Sequence, residues 1–242
     1  MTAQSAQPFI HHLDELRTRF FLSLGLVLIF SIFGYFINQQ LLSLLIKPLG
    51  QPIYYTTPGG GFDLVFKVSL LFGFLLAMPF IVFQFIKFIQ PAIPTLSMKK
   101  MIVIIIASWG LMCFGVSLAY FVTLPAALYF LSSFGSPEVK SLISSRDYLS
   151  FVSFYLTAFG FIFQLPLLML FINSMIKLKA SRLLYYMQFV ILFSFILSAI
   201  LTPTPDLFNQ SLMAVPIIIL YGFSIVLIWI VNRKKRGHKK KR

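Results

Sequence analysis

Residues 68–86 read VSLLFGFLLAMPFIVFQFI, a run of nineteen residues without a charged side chain. An α-helix rises about 1.5 Å per residue, so a run of this length matches a hydrocarbon core of roughly 30 Å. In lipid the backbone N–H and C=O groups must bond within the segment itself, which a helix achieves. The run therefore predicts a membrane-spanning α-helix.

Five further apolar runs of similar length lie along the chain. Its 242 residues are 59% hydrophobic and 11% charged, with a mean hydropathy of +0.91, values unsuited to a water-facing surface. We therefore predict an all-α membrane protein in which residues 1–242 form a single domain of six transmembrane helices. The predicted spans are residues 20–37, 68–86, 101–130, 149–172, 183–201 and 211–231.

Four of the predicted spans contain an internal proline. Proline removes a backbone donor and tends to kink a helix, so several kinked helices would give a curved bundle. Proline is also common in membrane helices as a mere kink. The four residues are Pro79, Pro125, Pro166 and Pro216.

The basic residues predict the orientation of the chain. Short loops rich in Lys and Arg stay on the cytoplasmic side, or on the equivalent side of an organelle membrane. Sixteen of the 20 Lys and Arg residues precede the first predicted span, follow the second or fourth, or follow the sixth. Both ends are therefore predicted to be cytoplasmic, with residues 1–19 as an amphipathic segment and residues 232–242 as a basic tail.

The net charge of +14 depends largely on the basic run from Arg233 to Arg242, directly after the last predicted span. At this place anionic lipid headgroups are the expected partner, rather than nucleic acid. The simpler interpretation, a topology anchor without a specific ligand, is favoured.

Few side chains in the predicted spans can carry chemistry. The histidines, His11, His12 and His238, all lie outside the spans, so no haem or metal site is expected within the membrane. The glycine run 59–61 leads into Phe62 instead of the Lys and Ser/Thr of a phosphate-binding loop. We therefore expect no catalytic residue, no cofactor and no metal, and we do not expect an enzyme.

Polar groups within the spans include Gln84, Gln164 and Gln188. The simpler interpretation is hydrogen bonding between helices, worth about 0.6 to 2 kcal/mol for each bond. The alternative is a wet, polar pocket. No carboxylate lies in the middle of a predicted span, so a proton relay of acidic groups is not expected.

The segment before the first span carries the most specific pattern. Residues 12–19 read HLDELRTR, which resembles the N-terminal signature of the TatC family, the core subunit of the twin-arginine protein translocase. That signature reads His-Leu-x-Glu-Leu-Arg-x-Arg. Other residues resemble the family pattern in order along the chain: Lys67, Pro79, Gln84, Phe88, Pro91, Ala119, Tyr120, Pro125, Tyr148, Phe163, Gln164, Pro166, Thr202, Asp206, Gln210 and Pro216.

The resemblance implies a role in protein transport. The family binds the signal peptides of folded precursors, which carry paired arginines, and works with single-helix subunits of the TatA and TatB type. It also implies a homo-oligomer within a receptor complex and export driven by the proton gradient. The membrane would be a bacterial plasma membrane, a thylakoid or a mitochondrial inner membrane. By the same resemblance the signal-peptide site comprises Asp14, Glu15, Arg17, Phe88, Pro91 and Ser97.

Glu15 is the expected centre of that site, since carboxylates hold guanidinium groups bidentately. Asp14 adds negative charge, and Arg17 would orient the segment. The simpler interpretation of Glu15 is an acidic residue in the first turn of a helix. Ser97 stands where the family usually carries a second glutamate, so this chain departs from the pattern there.

A second set of residues is expected to face the partner subunits. Many family members carry Glu where Gln164 stands, at a polar cavity that faces TatA and TatB. Pro166, Asp206 and Gln210 complete this set, although Asp206 is also a good helix N-cap.

Two other functional classes stay open. A secondary transporter of small solutes normally has repeated halves and broken helices, and no internal repeat is visible. A passive scaffold of a membrane complex would leave export intact after a Glu15→Ala substitution.

Overall fold

The computed structural model describes residues 6–55, 57–89, 98–133, 142–202 and 206–239; among these, the side chains of residues 6–12, 89, 98–100 and 234–239 are not described. No strand is present in these ranges, where the only β-type contact is an isolated bridge between Tyr54 and Ser144. Helices over these ranges are α1 Ala6–Phe36, α2 Asn38–Ile46, α3 Gly60–Ile89, α4 Met98–Leu118, α5 Leu124–Ser132, α6 Ser145–Ile162, α7 Leu165–Met175, α8 Ala180–Tyr185, α9 Met187–Leu201 and α10 Leu207–Lys239.

Six apolar helical passes confirm the predicted fold class. Five are long enough to cross a bilayer: Leu13–Phe36, Gly60–Phe88, Met101–Ser132, Ser145–Met175 and Leu207–Arg233. The fifth pass in chain order is shorter, because its apolar helix is α9, Met187–Leu201. The first pass is continuous with the segment before it, since no glycine or proline separates residues 9–20 from the apolar run.

The four prolines occupy two kinds of position, inside a continuous helix or at the start of one. Pro79 and Pro216 lie inside continuous helices, α3 and α10. Pro125 and Pro166 are each the second residue of a new helix, α5 and α7, where the missing N–H leaves no helical bond unmade. A π-helical turn, Ala119–Thr123, precedes the first of these, and the pair Phe163–Gln164 precedes the second.

The buried centre of the molecule is α6. Its side chains Leu149, Val152, Tyr155 and Phe159 are fully buried, and the helix packs against α3 and α4. At its start, the Tyr148 hydroxyl donates to the Leu45 carbonyl over 2.7 Å. This bond fixes the end of α2 to the core.

Helix α1 lies at the edge of the bundle and packs mainly against α3. Glycines on both helices let the backbones approach, as is usual between membrane helices. A Cβ atom added to Gly73 would lie 2.7 Å from the Val27 carbonyl oxygen, and one added to Gly34 would lie 3.1 Å from that of Ser69. The seam between α1 and α3 therefore depends on small residues.

Candidate functional site

Two ion pairs lie on the predicted N-terminal recognition segment. The Arg19 guanidinium donates to the Glu15 carboxylate one helical turn away, and both side chains are largely shielded, at 15% and 26% exposed. Arg17 lies 3.8 Å from Asp14, and both of those side chains are well exposed. Glu15 is therefore held by Arg19, a residue that the sequence reasoning did not assign to the site. The i, i+4 spacing was the signal that could have found it.

A groove begins beside this pair and runs along α1, α3 and α6. It has a volume of about 810 Å³. Leu16, Arg19 and Phe20 line it from α1, and Phe88 lines it from the end of α3. Its walls are mostly apolar, with polar groups at intervals. The polar lining residues are Arg19, Ser23, Lys67, Gln84, Ser150, Ser153 and Thr157.

Lys67 closes the far end of the groove. Its ammonium group lies 3.1 Å from the Asp63 carboxylate and donates to the Ser150 hydroxyl over 3.1 Å. Asp63 and Lys67 belong to α3 and Ser150 belongs to α6, so this contact joins two walls of the groove.

The structure brings some of the predicted signal-peptide residues together. Phe88 lines the same groove as Leu16 and Arg19, the neighbours of Glu15. Pro91 and Ser97 lie outside the described residues. Two of the six predicted positions therefore have no structural account here.

Gln164 lies at the break between α6 and α7, not among the residues that line the groove. Its Oε1 accepts from the Ser108 hydroxyl over 2.7 Å, and its Nε2 donates to the Ser108 carbonyl over 3.2 Å. The amide thus joins this break to α4, in line with the simpler interpretation from the sequence. Pro166, two residues on, is fully buried.

Asp206 and Gln210 hold together the turn between α9 and α10. The Asp206 carboxylate accepts from the Asn209 backbone N–H over 2.7 Å and from its side-chain amide over 2.9 Å, as an N-cap does. Gln210 donates to the Phe195 carbonyl of α9 over 2.8 Å. The predicted site residues therefore occupy three separate places: the α1 segment, the α6–α7 break and the α9–α10 turn.

Metal-binding chemistry finds no support among the described residues. No group of three or more His, Cys, Asp or Glu side chains within these ranges could hold an ion.

Comparison with known proteins gives consistent results. The profile of the family described as Sec-independent protein translocase protein (TatC) matches residues 11–216. The protein of that name from Desulforapulum autotrophicum is 33% identical over 238 residues, covering 96% of this chain and 88% of the relative. The one from Synechocystis is 35% identical over 223 residues, covering 92% and 88%.

Solved structures agree as well. A crystal structure of the twin-arginine translocase receptor TatC in DDM superposes with a TM-score of 0.79 at 30% identity, covering 89% of this chain and 98% of the other. Together, the helical passes and the groove define a multi-pass helical membrane protein. The match over residues 11–216 goes further, and the chain belongs to the TatC family.

Proposed function

We propose that this chain is the receptor subunit of a twin-arginine protein translocase and binds the paired arginines of signal peptides at Glu15. The observation that carries the proposal is a partly exposed, oriented carboxylate at the mouth of a groove, in a chain of the TatC family. Its relatives are named as translocase proteins, and its solved counterparts as the translocase receptor.

The chemistry of Glu15 supports binding of guanidinium groups. A carboxylate has two oxygens and about four lone-pair sites, so it can accept from several donors at once, and Arg19 is one donor to Glu15. Arg19 fixes the orientation of the carboxylate, which lowers the entropic cost of binding. Charge-assisted bonds to an incoming arginine are then short and strong.

Asp14 is suited to a secondary role. Its contact with Arg17 is long, at 3.8 Å, and solvent-exposed. Exposed pairs of this kind are worth at most about 1 kcal/mol. Asp14 can therefore exchange Arg17 for a cation of the leader at little cost, whereas Arg17 limits how many cations the segment accepts.

The orientation and the partners of this chain are those expected of a TatC family member. The recognition segment faces the cytoplasm or its organellar equivalent, where the basic loops lie. Single-helix subunits of the TatA and TatB type bind near the α9–α10 turn with Asp206 and Gln210, and near Gln164 and Pro166. Phe193 and Ile200 of α9 are exposed within the membrane pass, so this side of the helix is accessible to another membrane helix. The chain forms homo-oligomers within the receptor complex, contacts anionic lipids through its basic tail and is not an enzyme.

The proton gradient would drive export by this complex. The host membrane is a bacterial plasma membrane, a thylakoid or a mitochondrial inner membrane. Relatives include bacterial proteins and the uncharacterized tatC-like protein ycf43 of Trieres chinensis, 29% identical over 230 residues.

Photo-crosslinking tests the recognition role. A photoreactive side chain replaces Thr18, which is exposed one turn from Asp14, in membranes that contain the complete translocase. Precursors carry Arg-Arg or Lys-Lys in the leader. We expect stronger crosslinking to the Arg-Arg leader, because guanidinium groups bind carboxylates bidentately and ammonium groups do not.

A matched pair of substitutions serves as control. Glu15→Gln should abolish the preference for Arg-Arg. Asp63→Asn, which alters a similar carboxylate–cation pair one turn apart at the other end of the groove, should keep it. Equal crosslinking of both leaders by the unaltered site would remove the recognition role, and normal export with Glu15→Ala would support a passive scaffold instead.

A further inference from the structure

We propose that the segment between α7 and α8, together with the end of α10, forms a defined site for the headgroup of an anionic phospholipid. This cationic site comprises Lys177, Lys179, Arg182 and Arg233. The inference rests on the proposed function for the orientation of the chain and its contact with anionic lipids. It does not depend on signal-peptide binding at Glu15.

Two side-chain amides hold the α7–α8 segment against α10. Asn173 Oδ1 accepts from the Leu178 backbone N–H over 3.0 Å, and Asn232 Nδ2 donates to the Leu178 carbonyl over 2.9 Å. Asn173 is buried, and the two amides also bond to each other. Both backbone polar groups of Leu178 are thereby fixed, so the adjacent Lys177 and Lys179 have a defined position.

The same contacts bring the cations of different elements together. The two lysines flank Leu178, and Arg233 directly follows Asn232, whose side chain bonds to Leu178. Arg182 lies three residues after Lys179 and donates its backbone N–H to the Lys179 carbonyl over 3.0 Å. All four cationic side chains are exposed. They therefore lie close together at one end of the bundle.

The segments that form the cationic site contain no acidic residue. The sequence has no Asp or Glu from residue 148 to residue 205, or after residue 206. Within the described ranges, the ion pairs are those of Arg17, Arg19 and Lys67, which belong to other helices. A bound anion would therefore meet four positive charges and no competing carboxylate from these segments.

Exposed aromatic and apolar side chains adjoin the site. The Arg233 guanidinium lies 5.1 Å from the centre of the Trp229 ring, and Trp229 and Ile230 are exposed on that side of α10. Tyr185 and Tyr186 are exposed where α8 meets α9. Trp and Tyr side chains of this kind are enriched at the level of the lipid headgroups. Acyl chains can therefore pack beside the cations, which favours a phospholipid over a soluble phosphate.

The predicted orientation places this end of the bundle at the cytoplasmic leaflet. Anionic lipids of that leaflet attract basic residues, and basic pockets between membrane helices bind anionic headgroups. The basic tail offers a general attraction of this kind. The cationic site differs from the tail because hydrogen bonds between α7, α10 and the intervening segment fix its geometry.

Quenching of tryptophan fluorescence tests the site. Trp109 and Trp229 are the only tryptophans of the chain, so Trp109→Phe leaves Trp229 as the reporter beside Arg233. The full chain is reconstituted into phosphatidylcholine vesicles with a small, equal fraction of lipid brominated on its acyl chains, either phosphatidylglycerol or phosphatidylcholine. We expect several-fold stronger quenching by the phosphatidylglycerol, because only this lipid brings a net negative charge to the cations.

Two double substitutions that remove equal charge separate the site from general attraction. Lys177→Gln with Lys179→Gln should remove most of the excess quenching, and it leaves the reporter and its neighbouring arginine unaltered. Lys47→Gln with Arg146→Gln should retain the excess. These control positions are also exposed, and they lie near the start of α6, at the opposite end of the pass that leads to α7.

A third variant tests the hydrogen bonds without changing the charge. Asn232→Leu keeps every cation but removes the bond to the Leu178 carbonyl, so it should also lower the excess quenching. Crosslinking from position 18, measured on each variant in the complete translocase, should keep its preference for Arg-Arg. That preference also reports that the variant is folded.

Four results would overturn the inference: equal quenching by the two lipids, full excess without the two lysines, equal loss in both double variants, or unchanged excess in Asn232→Leu. If position 18 still prefers Arg-Arg in any of these cases, the proposed function stands and only the lipid site fails. If the unaltered protein shows no preference at position 18, recognition at Glu15 fails, whatever the quenching shows.

Discussion

Two ion pairs in this chain have the same i, i+4 spacing but different structural roles. Glu15 precedes Arg19 and Asp63 precedes Lys67, each by one helical turn. Arg19 donates a hydrogen bond to Glu15 on the same helix and thereby orients the Glu15 carboxylate. Lys67 also donates to Ser150 on another helix and so joins α3 to α6. The context of a pair, rather than its spacing, decides whether it presents a charge or locks two helices.

The Asp206 carboxylate caps helix α10 by accepting from the Asn209 backbone N–H. Asp206→Ala should lower the stability of the chain by about 1 kcal/mol, because the cap of α10 is lost, whereas Asp206→Asn should retain most of it. Thermal unfolding of the purified protein in detergent measures both. An Asn variant as unstable as the Ala variant would contradict the cap, and recruitment of the single-helix subunits by the Asn variant measures any additional role of the charge.

Single residues were predictable where their partners are local. The cap by Asp206 depends on Asn209, three residues on, so the sequence could suggest it. The partner of Gln164 is Ser108, fifty-six positions away, and only the packing of α4 against the α6–α7 break determines it. The sequence could therefore predict a hydrogen bond between helices but not its partner.

At the scale of elements, α6 and α7 differ most from expectation. The sequence predicts one span over residues 149–172, yet the helix is interrupted at Phe163–Gln164. Pro79 and Pro216 leave their helices continuous, so a proline alone does not predict a break. Gly115 faces Phe163, and a Cβ there would lie 2.8 Å from the Cβ of Phe163. This close approach is tertiary packing, which a local pattern does not contain.

The seam between α1 and α3 gives a prediction for an element. Gly73→Ala should destabilise the chain by about 1 to 3 kcal/mol, because the new methyl group overpacks against Ser31 and the Val27 carbonyl of α1. Gly110→Ala is the matched control, since its methyl group meets nothing within 4 Å and alanine favours a helix by up to about 1 kcal/mol. Thermal unfolding in detergent compares them. Equal stability of the two variants would mean that α1 does not depend on this contact.

At the scale of the whole molecule, one hydrogen-bond network relates the basic segments. The side-chain amides of Asn173 and Asn232 bond to each other over 3.2 Å, and Asn232 also donates to the Leu178 carbonyl over 2.9 Å. The loop that contains Lys177 and Lys179 is thereby fixed to the end of α10 that leads to the basic tail. Two segments that the charge rule assigns to one side of the membrane are in contact.

Cysteine labelling tests the orientation. In the Cys113→Ser background, a membrane-impermeant maleimide added to intact cells should label Tyr55→Cys and leave Lys177→Cys unlabelled until the membrane is opened. Both positions are exposed, so access alone decides the result. Labelling of Lys177→Cys in intact cells would show that the predicted orientation of the chain is wrong.

The number of passes and their charge asymmetry were readable from the sequence, because apolar length and loop charge are local properties. The groove could not be predicted from the sequence, since its walls come from three helices, α1, α3 and α6, that lie far apart along the chain. The sequence presents Gln84 as a polar group within a span and as part of the family pattern, but neither predicts that it lines the groove.

The pairing of α1 with α3 has a consequence for how the protein is made. Chains fold from the N-terminus as they leave the ribosome. The first two passes are neighbours that form an antiparallel hairpin, and glycines allow their backbones to pack closely. Two of the three walls that surround the groove can thus assemble before the second half of the chain is synthesised, and α6 completes them on arrival. The α9–α10 hairpin is made last, so an early arrest of translation would leave a half-built receptor with its Glu15 segment already in place.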